Sequence, residues 1–168
     1  MHPVYAELPP EYAVGIGNVI VAHALLEWRA FTLVCDILAI DYSDGRAAFR
    51  YQSAFERFKV ARELLELKGI AVDADLSTLQ NDIQKICGKR DELAHGVWMQ
   101  GDDGEPRLRL IKGDYETTEG FARRSALPQG GRISAGYFEK LCLIISGLMR
   151  EVSAISAQVL EQRKAARM

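Results

Sequence analysis

A stripe of apolar residues at helical spacing runs through the C-terminal part of the chain and constrains its fold more than any other feature. The stripe extends from Ser134, which is suited to cap a helix, to about Arg163. This period predicts a helix of about eight turns with one face in a hydrophobic core. The stripe consists of Phe138, Leu141, Ile145, Leu148, Val152, Ile155 and Val159. Leu143, Ile144 and Met149 widen it, which indicates a partner surface as well as a core.

Three further helices are predicted upstream of this one. The first begins at a Pro-Pro-Glu sequence and spans about 10–40, because proline and an acidic residue both suit a first turn. The second is predicted over 46–68, followed by a glycine that suits a helix end. Asp73 or Asp75 is suited to cap the third helix, which would end at Gly96.

Beyond the third helix the hydrophobic period changes. Residues 97–100 and 107–112 read as two β-strands around a polar turn, and a long loop over 113–133 follows them. The predicted fold class is therefore all-α: a four-helix, up-and-down bundle with a β-hairpin inserted before the last helix. At 168 residues the chain fits one domain, 1–168, with the hairpin and loop as an insertion at about 97–133.

Composition bounds the function and the compartment. The formal net charge of -2 gives no general attraction to nucleic acid, so polyanion binding needs a local basic patch. Cys35, Cys87 and Cys142 are far apart and odd in number, which favours reduced thiols in the cytoplasm. No metal and no cofactor is expected, since no His/Cys cluster has ligand spacing. We expect no signal peptide and no membrane segment, because the longest near-apolar run noted, 13–26, is shorter than the roughly 20 residues of a span and contains His23.

Two charged residues of opposite sign occupy predicted core positions. On a helical wheel Glu27 falls in the middle of the core side of the first helix, with His23 one turn before it. Arg90 falls at the centre of the apolar arc of the third helix. Because an unpaired buried charge is costly, the economical interpretation is that Glu27 and Arg90 meet. The alternatives are that one of the two extends to the end of the bundle, and that His23 is an ordinary core histidine.

The segment 90–96, RDELAHG, places an arginine and a histidine five positions apart at the end of the third helix. In an unbroken helix Arg90 and His95 would point about 140° apart and would not share a small target. We expect Gly96 to end the helix in a left-handed turn, which would free His95 to approach Arg90. A guanidinium beside a histidine that titrates near neutral pH suits phosphodiester chemistry, since one moves a proton and the other stabilises phosphoryl charge.

This segment resembles the Arg-x(4–6)-His motif of HEPN domains, in which a polar residue often follows the arginine. In those domains the motif lies near the end of the third helix of a four-helix bundle. The resemblance covers roughly 10–96 and 134–165, and only the motif is specific. Many members of that family resemble metal-independent endoribonucleases in which two protomers share one cleft and the ribose 2′-hydroxyl takes part in cleavage.

The resemblance implies catalytic roles for Arg90 and His95, polar support from Asp91 and a homodimer. It also implies a toxin or phage-defence role, often beside a nucleotidyltransferase antitoxin. Glu27 is a candidate to orient Arg90. Position 97 is valine, where one toxin branch has a tyrosine that is modified, so that antitoxin mechanism is less expected here. Since some members lack catalysis, a nucleotide- or protein-binding module is the alternative.

Neighbouring basic and aromatic residues are candidates for RNA or nucleotide contact. Lys89, Arg107, Arg109 and the arginines of the long loop would follow phosphates if the hairpin folds beside the motif. A solvated surface with interspersed acids is the other interpretation. Trp98 could stack on a base, although core packing is the simpler expectation. Cys87 is not predicted to act as a nucleophile, because nothing in the sequence places a base beside it.

Overall fold

The computed structural model describes residues 8–101, 103–109, 117–118, 121–122 and 131–166, and over these residues the protein is mostly helical, as predicted. The helices are α1 (Pro10–Leu38), α2 (Tyr42–Ala48), α3 (Ala54–Leu67), α4 (Leu76–His95) and α5 (Ala135–Ala165). The strands are β1 (Val97–Gln100), β2 (Pro106–Arg109), β3 (Thr117–Thr118), β4 (Phe121–Ala122) and β5 (Gly131–Arg132).

The core lies between α1 and the three other long helices. α1 packs against α3, α4 and α5. Burying each large apolar side chain contributes about 1.5–3 kcal/mol. The apolar stripe predicted for the last helix is buried throughout, from Phe138 to Val159. The largest fully buried side chains of the other three helices include Leu26, Leu33, Phe58, Leu65 and Ile83.

The predicted second helix, 46–68, is wrong in its first half. Two helices occupy this region, α2 and α3, with a break at residues 49–53. A capping box starts α3: the Glu56 backbone N–H donates to Ser53 Oγ at 3.3 Å, and the Ser53 backbone N–H donates to Glu56 Oε2 at 2.8 Å. This local pair of hydrogen bonds fixes a helix start that the apolar spacing alone does not show. α3 ends as predicted before Gly69, whose φ is 62°.

The start of α4 is set by Asp75, one of the two predicted caps. Asp75 Oδ1 accepts hydrogen bonds from the backbone N–H groups of Ser77, at 3.1 Å, and Thr78, at 3.0 Å. These contacts satisfy two of the N–H groups that a helix start leaves without partners. The twenty residues that follow form one unbroken helix that includes His95.

The predicted up-and-down order of the four helices is wrong, as the contacts between α1 and α5 show. At one end the Tyr12 and Phe138 rings lie 5.8 Å apart. At the other end Ser156 Oγ donates to the Asp36 carboxylate, and Arg163 Nη1 donates to the Asp36 carbonyl at 2.6 Å. The two helices therefore run in the same direction, whereas the first and last helices of a four-helix, up-and-down bundle run in opposite directions.

The return segment between α1 and α3 explains this difference. α2 packs on α1 near Phe31, and the chain re-enters beside the middle of α1, where Arg57 Nη1 donates to the Glu27 carbonyl at 3.1 Å. Arg62 Nη1 then donates to Gln80 Oε1 at 3.1 Å, while Phe55, nearer the start of α3, faces Cys87, nearer the end of α4, so α3 and α4 run in opposite directions. Beyond the end of α3, the Ala71 carbonyl accepts from Gln162 Nε2, next to the arginine that contacts Asp36, so α3 runs in the same direction as α1 and α5. Only α4 opposes the other three long helices.

A small sheet follows α4 and packs on the start of α1. β1 and β2 pair antiparallel with Trp98 opposite Leu108, and β5 pairs with β2 on its other side. Both Trp98 and Leu108 are buried, and the Trp98 ring lies 5.7 Å from the Tyr12 ring. The two strands predicted at this position are thus present. Residues 110–112, predicted to extend the second strand, lie outside the described residues.

α5 has a property that the sequence interpretation did not anticipate. Over Gly136–Ala165 it is long and apolar enough to cross a membrane by length and composition alone. The core helix of a soluble protein passes the same test, and one face of α5 is buried against α1. One such helix is weak evidence for a membrane span.

Candidate functional site

Arg90 and Glu27 do not form the predicted ion pair. Arg90 Nη1 lies 2.8 Å from Asp91 Oδ1, the next residue of α4, and the Arg90 side chain is 31% exposed. Glu27 Oε1 instead lies 3.5 Å from His23 Nδ1. Arg90 Nε is buried and has no hydrogen-bond partner among the residues that the structure describes. Because the side chain as a whole is partly exposed, its other N–H groups keep donor capacity for an acceptor that arrives from outside.

A second polar group lies where α1 faces α4. His23 is 3% exposed, and its Nε2 lies 3.4 Å from Cys87 Sγ on α4. Its other ring nitrogen faces Glu27, so the imidazole connects a thiol to a carboxylate. Arg90 and Asp91 also act electrostatically on this histidine. The core histidine predicted from the sequence is therefore a histidine with two polar partners, beside the motif arginine.

Burial lowers the pKa of His23 below its ordinary value of 6.5. The negative charge of Glu27 opposes this shift, the positive charge of Arg90 reinforces it, and Asp91 opposes it more weakly. The neutral imidazole is therefore the favoured form in the folded protein at neutral pH. One ring nitrogen then carries the hydrogen and the other is free to accept a proton.

The lowered pKa of His23 predicts a pH dependence of stability. In the unfolded chain this histidine takes up a proton as the pH falls below about 6.5, while in the folded protein it resists protonation. The unfolded state then binds more protons, so the free energy of unfolding falls as the pH decreases from 7.5 toward about 5. Urea denaturation at several pH values measures this slope. The matched variant His23→Gln should show a smaller slope, and an equal slope in both proteins would contradict the prediction.

Gly96 does not adopt the predicted left-handed turn. Its φ is -72° and its ψ is 153°, an extended conformation that leads directly into β1. Glycine is required there for space: an added Cβ would lie 2.4 Å from Leu108 Cδ1 and 2.5 Å from the Glu92 carbonyl oxygen. His95 is exposed as the last residue of α4. Arg90 and His95 consequently keep the separation of about 140° that an unbroken helix imposes.

The predicted nucleic-acid contacts are only partly available. Trp98 is 8% exposed and packs on Tyr12, which is the core packing that the sequence favoured over stacking on a base. Lys89 Nζ lies 2.8 Å from Glu92 Oε2, a hydrogen bond that raises the pKa of Lys89. Arg107 Nη2 lies 3.1 Å from Asp103 Oδ2. The Arg109 side chain and the arginines at 123 and 124 lie outside the described residues, and so does the side chain of the arginine at 132.

The contact between His23 and Cys87 is the feature that sequence reasoning missed. The two residues are 64 positions apart, so the sequence places no base beside Cys87. The only indication of this contact in the sequence is His23 itself, a histidine one turn before Glu27 on the core side of α1. Among the described residues, no group of three or more His, Cys, Asp or Glu side chains is arranged to hold a metal ion.

Comparisons with family models, with curated proteins and with solved structures found no significant match for this chain.

Proposed function

We propose that this chain is a metal-independent endoribonuclease of the HEPN type that acts as a homodimer. The observation that carries the proposal is the placement of Arg90: a permanently charged side chain on the core-facing side of α4 that is about one-third exposed. Its buried Nε has no hydrogen-bond partner among the residues that the structure describes. A buried unpaired donor is costly, so such a position favours a functional role over a purely structural one.

The chemistry assigns one task to each residue of the motif. His95 would transfer a proton to or from the ribose 2′-hydroxyl and the leaving oxygen, which is general acid–base catalysis. Arg90 would stabilise the charge that develops on the phosphoryl oxygens. Asp91, whose Oδ1 lies 2.8 Å from Arg90 Nη1, would hold the guanidinium in place. Glu27 would contribute through His23 and not by direct contact with Arg90.

The separation of Arg90 and His95 is the reason to propose a dimer. Since they point about 140° apart on one helix, one protomer cannot bring both to the same phosphodiester. A partner protomer would supply the missing residue and so complete a shared site. An apolar surface for such a partner exists on α5, where Leu143 is 72% exposed and Ile144 is 41% exposed.

The four long helices and a role in toxicity or defence complete the proposed likeness to HEPN proteins. We take α1, α3, α4 and α5 as the counterparts of the four HEPN helices, with the sheet as an insertion. A cytoplasmic role in a toxin–antitoxin pair or in phage defence, with an antitoxin protein as partner, follows from the family and needs a cellular test. A toxin role would be supported if expression of the wild-type protein stops the growth of a bacterial host. Expression of the Arg90→Ala variant should then allow growth to continue.

The biochemical test is cleavage of a mixed RNA pool in the presence of EDTA. Wild-type protein should produce fragments that end in 2′,3′-cyclic phosphate, since the 2′-hydroxyl would attack the adjacent phosphorus. Activity that persists in EDTA supports a metal-independent mechanism. Intact RNA after prolonged incubation with dimeric protein would refute the proposal.

A non-catalytic nucleotide- or protein-binding module is the second candidate. The observation that favours it is the pairing of Arg90 with Asp91 together with the distance around the helix to His95. This function predicts that a nucleotide raises the thermal unfolding midpoint without being consumed, and that Arg90→Ala removes the effect. A panel of mono- and dinucleotides, with product analysis of each, separates the two functions.

A further inference from the structure

Three elements meet at the Cys87 thiol. From α1, His23 Nε2 lies 3.4 Å from Cys87 Sγ. From the first turn of α3, the Phe55 backbone N–H faces the same sulfur and acts to lower the pKa of Cys87, against the effect of burial. Behind the imidazole, Glu27 Oε1 lies 3.5 Å from His23 Nδ1. A nucleophile, a base within reach of it and a carboxylate that orients the base are the three parts of an activated thiol.

The resting charge states fit this arrangement. Burial raises the pKa of the Cys87 thiol, and burial lowers the pKa of His23, so both groups are neutral at neutral pH. A neutral imidazole is ready to accept the thiol proton when an electrophile approaches. The resulting imidazolium would face the Glu27 carboxylate, and the thiolate would face the Phe55 N–H at the positive end of α3.

We propose that Cys87 is a nucleophilic thiol, with His23 as its base and Glu27 as a positioning residue, and that it forms mixed disulfides with low-molecular-weight disulfides. In the step, Cys87 Sγ forms a bond to one sulfur of the disulfide as its proton moves to His23 Nε2. The S–S bond of the disulfide breaks, and the departing thiolate takes the proton from the imidazolium. The products are a protein mixed disulfide and one free thiol, so no further oxidant is needed.

Charges of both signs lie near the Cys87 thiol. Arg90 lies about one turn beyond Cys87 on α4, and Arg57 contacts the Glu27 carbonyl from α3. Glu27 and Asp91 supply the opposing negative charges around this thiol. Oxidised glutathione, a water-soluble low-molecular-weight disulfide, is the probe used in the test. The proposal does not depend on the proposed ribonuclease function, since it concerns a thiol that the RNA chemistry does not use.

Cys142 provides an internal control for the test. Like Cys87 it is a half-buried free thiol, and burial alone raises its pKa. Wild-type protein is incubated with oxidised glutathione, and the modified peptides are quantified by mass spectrometry over time. At pH 7 Cys87 is expected to react at least about tenfold faster than Cys142, because within the described part of the chain only Cys87, of these two thiols, has a histidine within hydrogen-bond distance.

The pH profile separates an assisted thiol from a merely accessible one. An unassisted thiol reacts about tenfold faster with each pH unit below its pKa, because the thiolate fraction sets the rate. Cys87 should instead react at a nearly constant rate above the pKa of His23 and more slowly below it. The proposal would be overturned if Cys87 and Cys142 react at equal rates. It would also be overturned if the reaction rate of Cys87 rises with pH as steeply as that of Cys142.

Two variants test the roles of the base and the carboxylate. His23→Gln should slow Cys87 by about tenfold and restore the climbing pH profile, without changing Cys142. Glu27→Gln keeps the shape of the side chain. It should slow mixed-disulfide formation at Cys87 less than His23→Gln does, and it should shift the pH at which this rate levels off. If circular dichroism shows that His23→Gln does not fold, the rate and pH profile of Cys87 in Glu27→Gln provide the test instead. An unchanged Cys87 rate and profile in a folded variant contradicts the assigned roles.

Discussion

Replacing His95 by alanine is expected to lower the rate of RNA cleavage by about 100- to 10,000-fold, the usual contribution of a general acid or base. The fold should survive, because His95 is exposed at the last position of α4. Arg90→Ala should lower the rate by about 100- to 1,000-fold through the loss of a charge on the transition state. The measurement is single-turnover cleavage of a labelled RNA in EDTA.

Matched controls distinguish these effects from general damage. Arg50→Ala removes an exposed arginine that lies 5.2 Å from the Tyr51 ring, far along the chain from the motif, and should leave cleavage unchanged. Arg90→Lys keeps the charge but loses the planar fork, so only part of the activity should return. Full activity in either His95→Ala or Arg90→Ala would remove that residue from the mechanism.

Gly96→Ala is expected to destabilise the protein by about 1–3 kcal/mol, the usual cost of overpacking. The added methyl group would meet Leu108 Cδ1 at 2.4 Å and the Glu92 carbonyl oxygen at 2.5 Å. Leu108 Cδ1 is the end of a flexible side chain and can shift, but the carbonyl belongs to the backbone of the last turn of α4 and has less freedom to move. Since both neighbours hold the joint between α4 and β1, the strain should loosen the position of His95. Chemical denaturation measures the change in the free energy of unfolding.

Gly147→Ala is the control for this substitution. Gly147 lies inside α5, and an added Cβ would meet nothing within 4 Å. In a helix interior alanine is more stable than glycine by about 0.5–1 kcal/mol, so this variant should gain stability. A loss in Gly147→Ala comparable with that in Gly96→Ala would mean that the tight contacts at Gly96 are not the cause.

Apolar periodicity and caps predicted most of the helical fold. α1, α4 and α5 lie where the spacing of their apolar residues and the prolines, Asp75 and Ser134 at their starts place them. The break at 49–53 was not predicted, because apolar residues continue through it at helical spacing and the Ser53–Glu56 capping box is a purely local signal. Helix directions were not predictable either, since they depend on where the return segment after α1 re-enters the core.

The candidate site was only half predictable for a related reason. A helical wheel indicates which residues face inward: His23 is buried at the interface of α1 and α4, whereas the Glu27 and Arg90 side chains at its edge are 30% and 31% exposed. It does not give the axial offset between two helices, and that offset decides that Glu27 meets His23 while Arg90 meets Asp91. The same offset brings His23 to Cys87, a contact that no spacing along the chain reveals.

The direct test of the central claim, a site shared between two protomers, is complementation between two inactive variants. Arg90→Ala and His95→Ala proteins are each assayed alone and then after mixing under conditions that exchange subunits. If Arg90 of one protomer works with His95 of its partner, each mixed dimer retains one intact site, and about a quarter of the wild-type cleavage rate should return. Mixed dimers that form, as shown by mass spectrometry, but remain inactive would contradict the shared site.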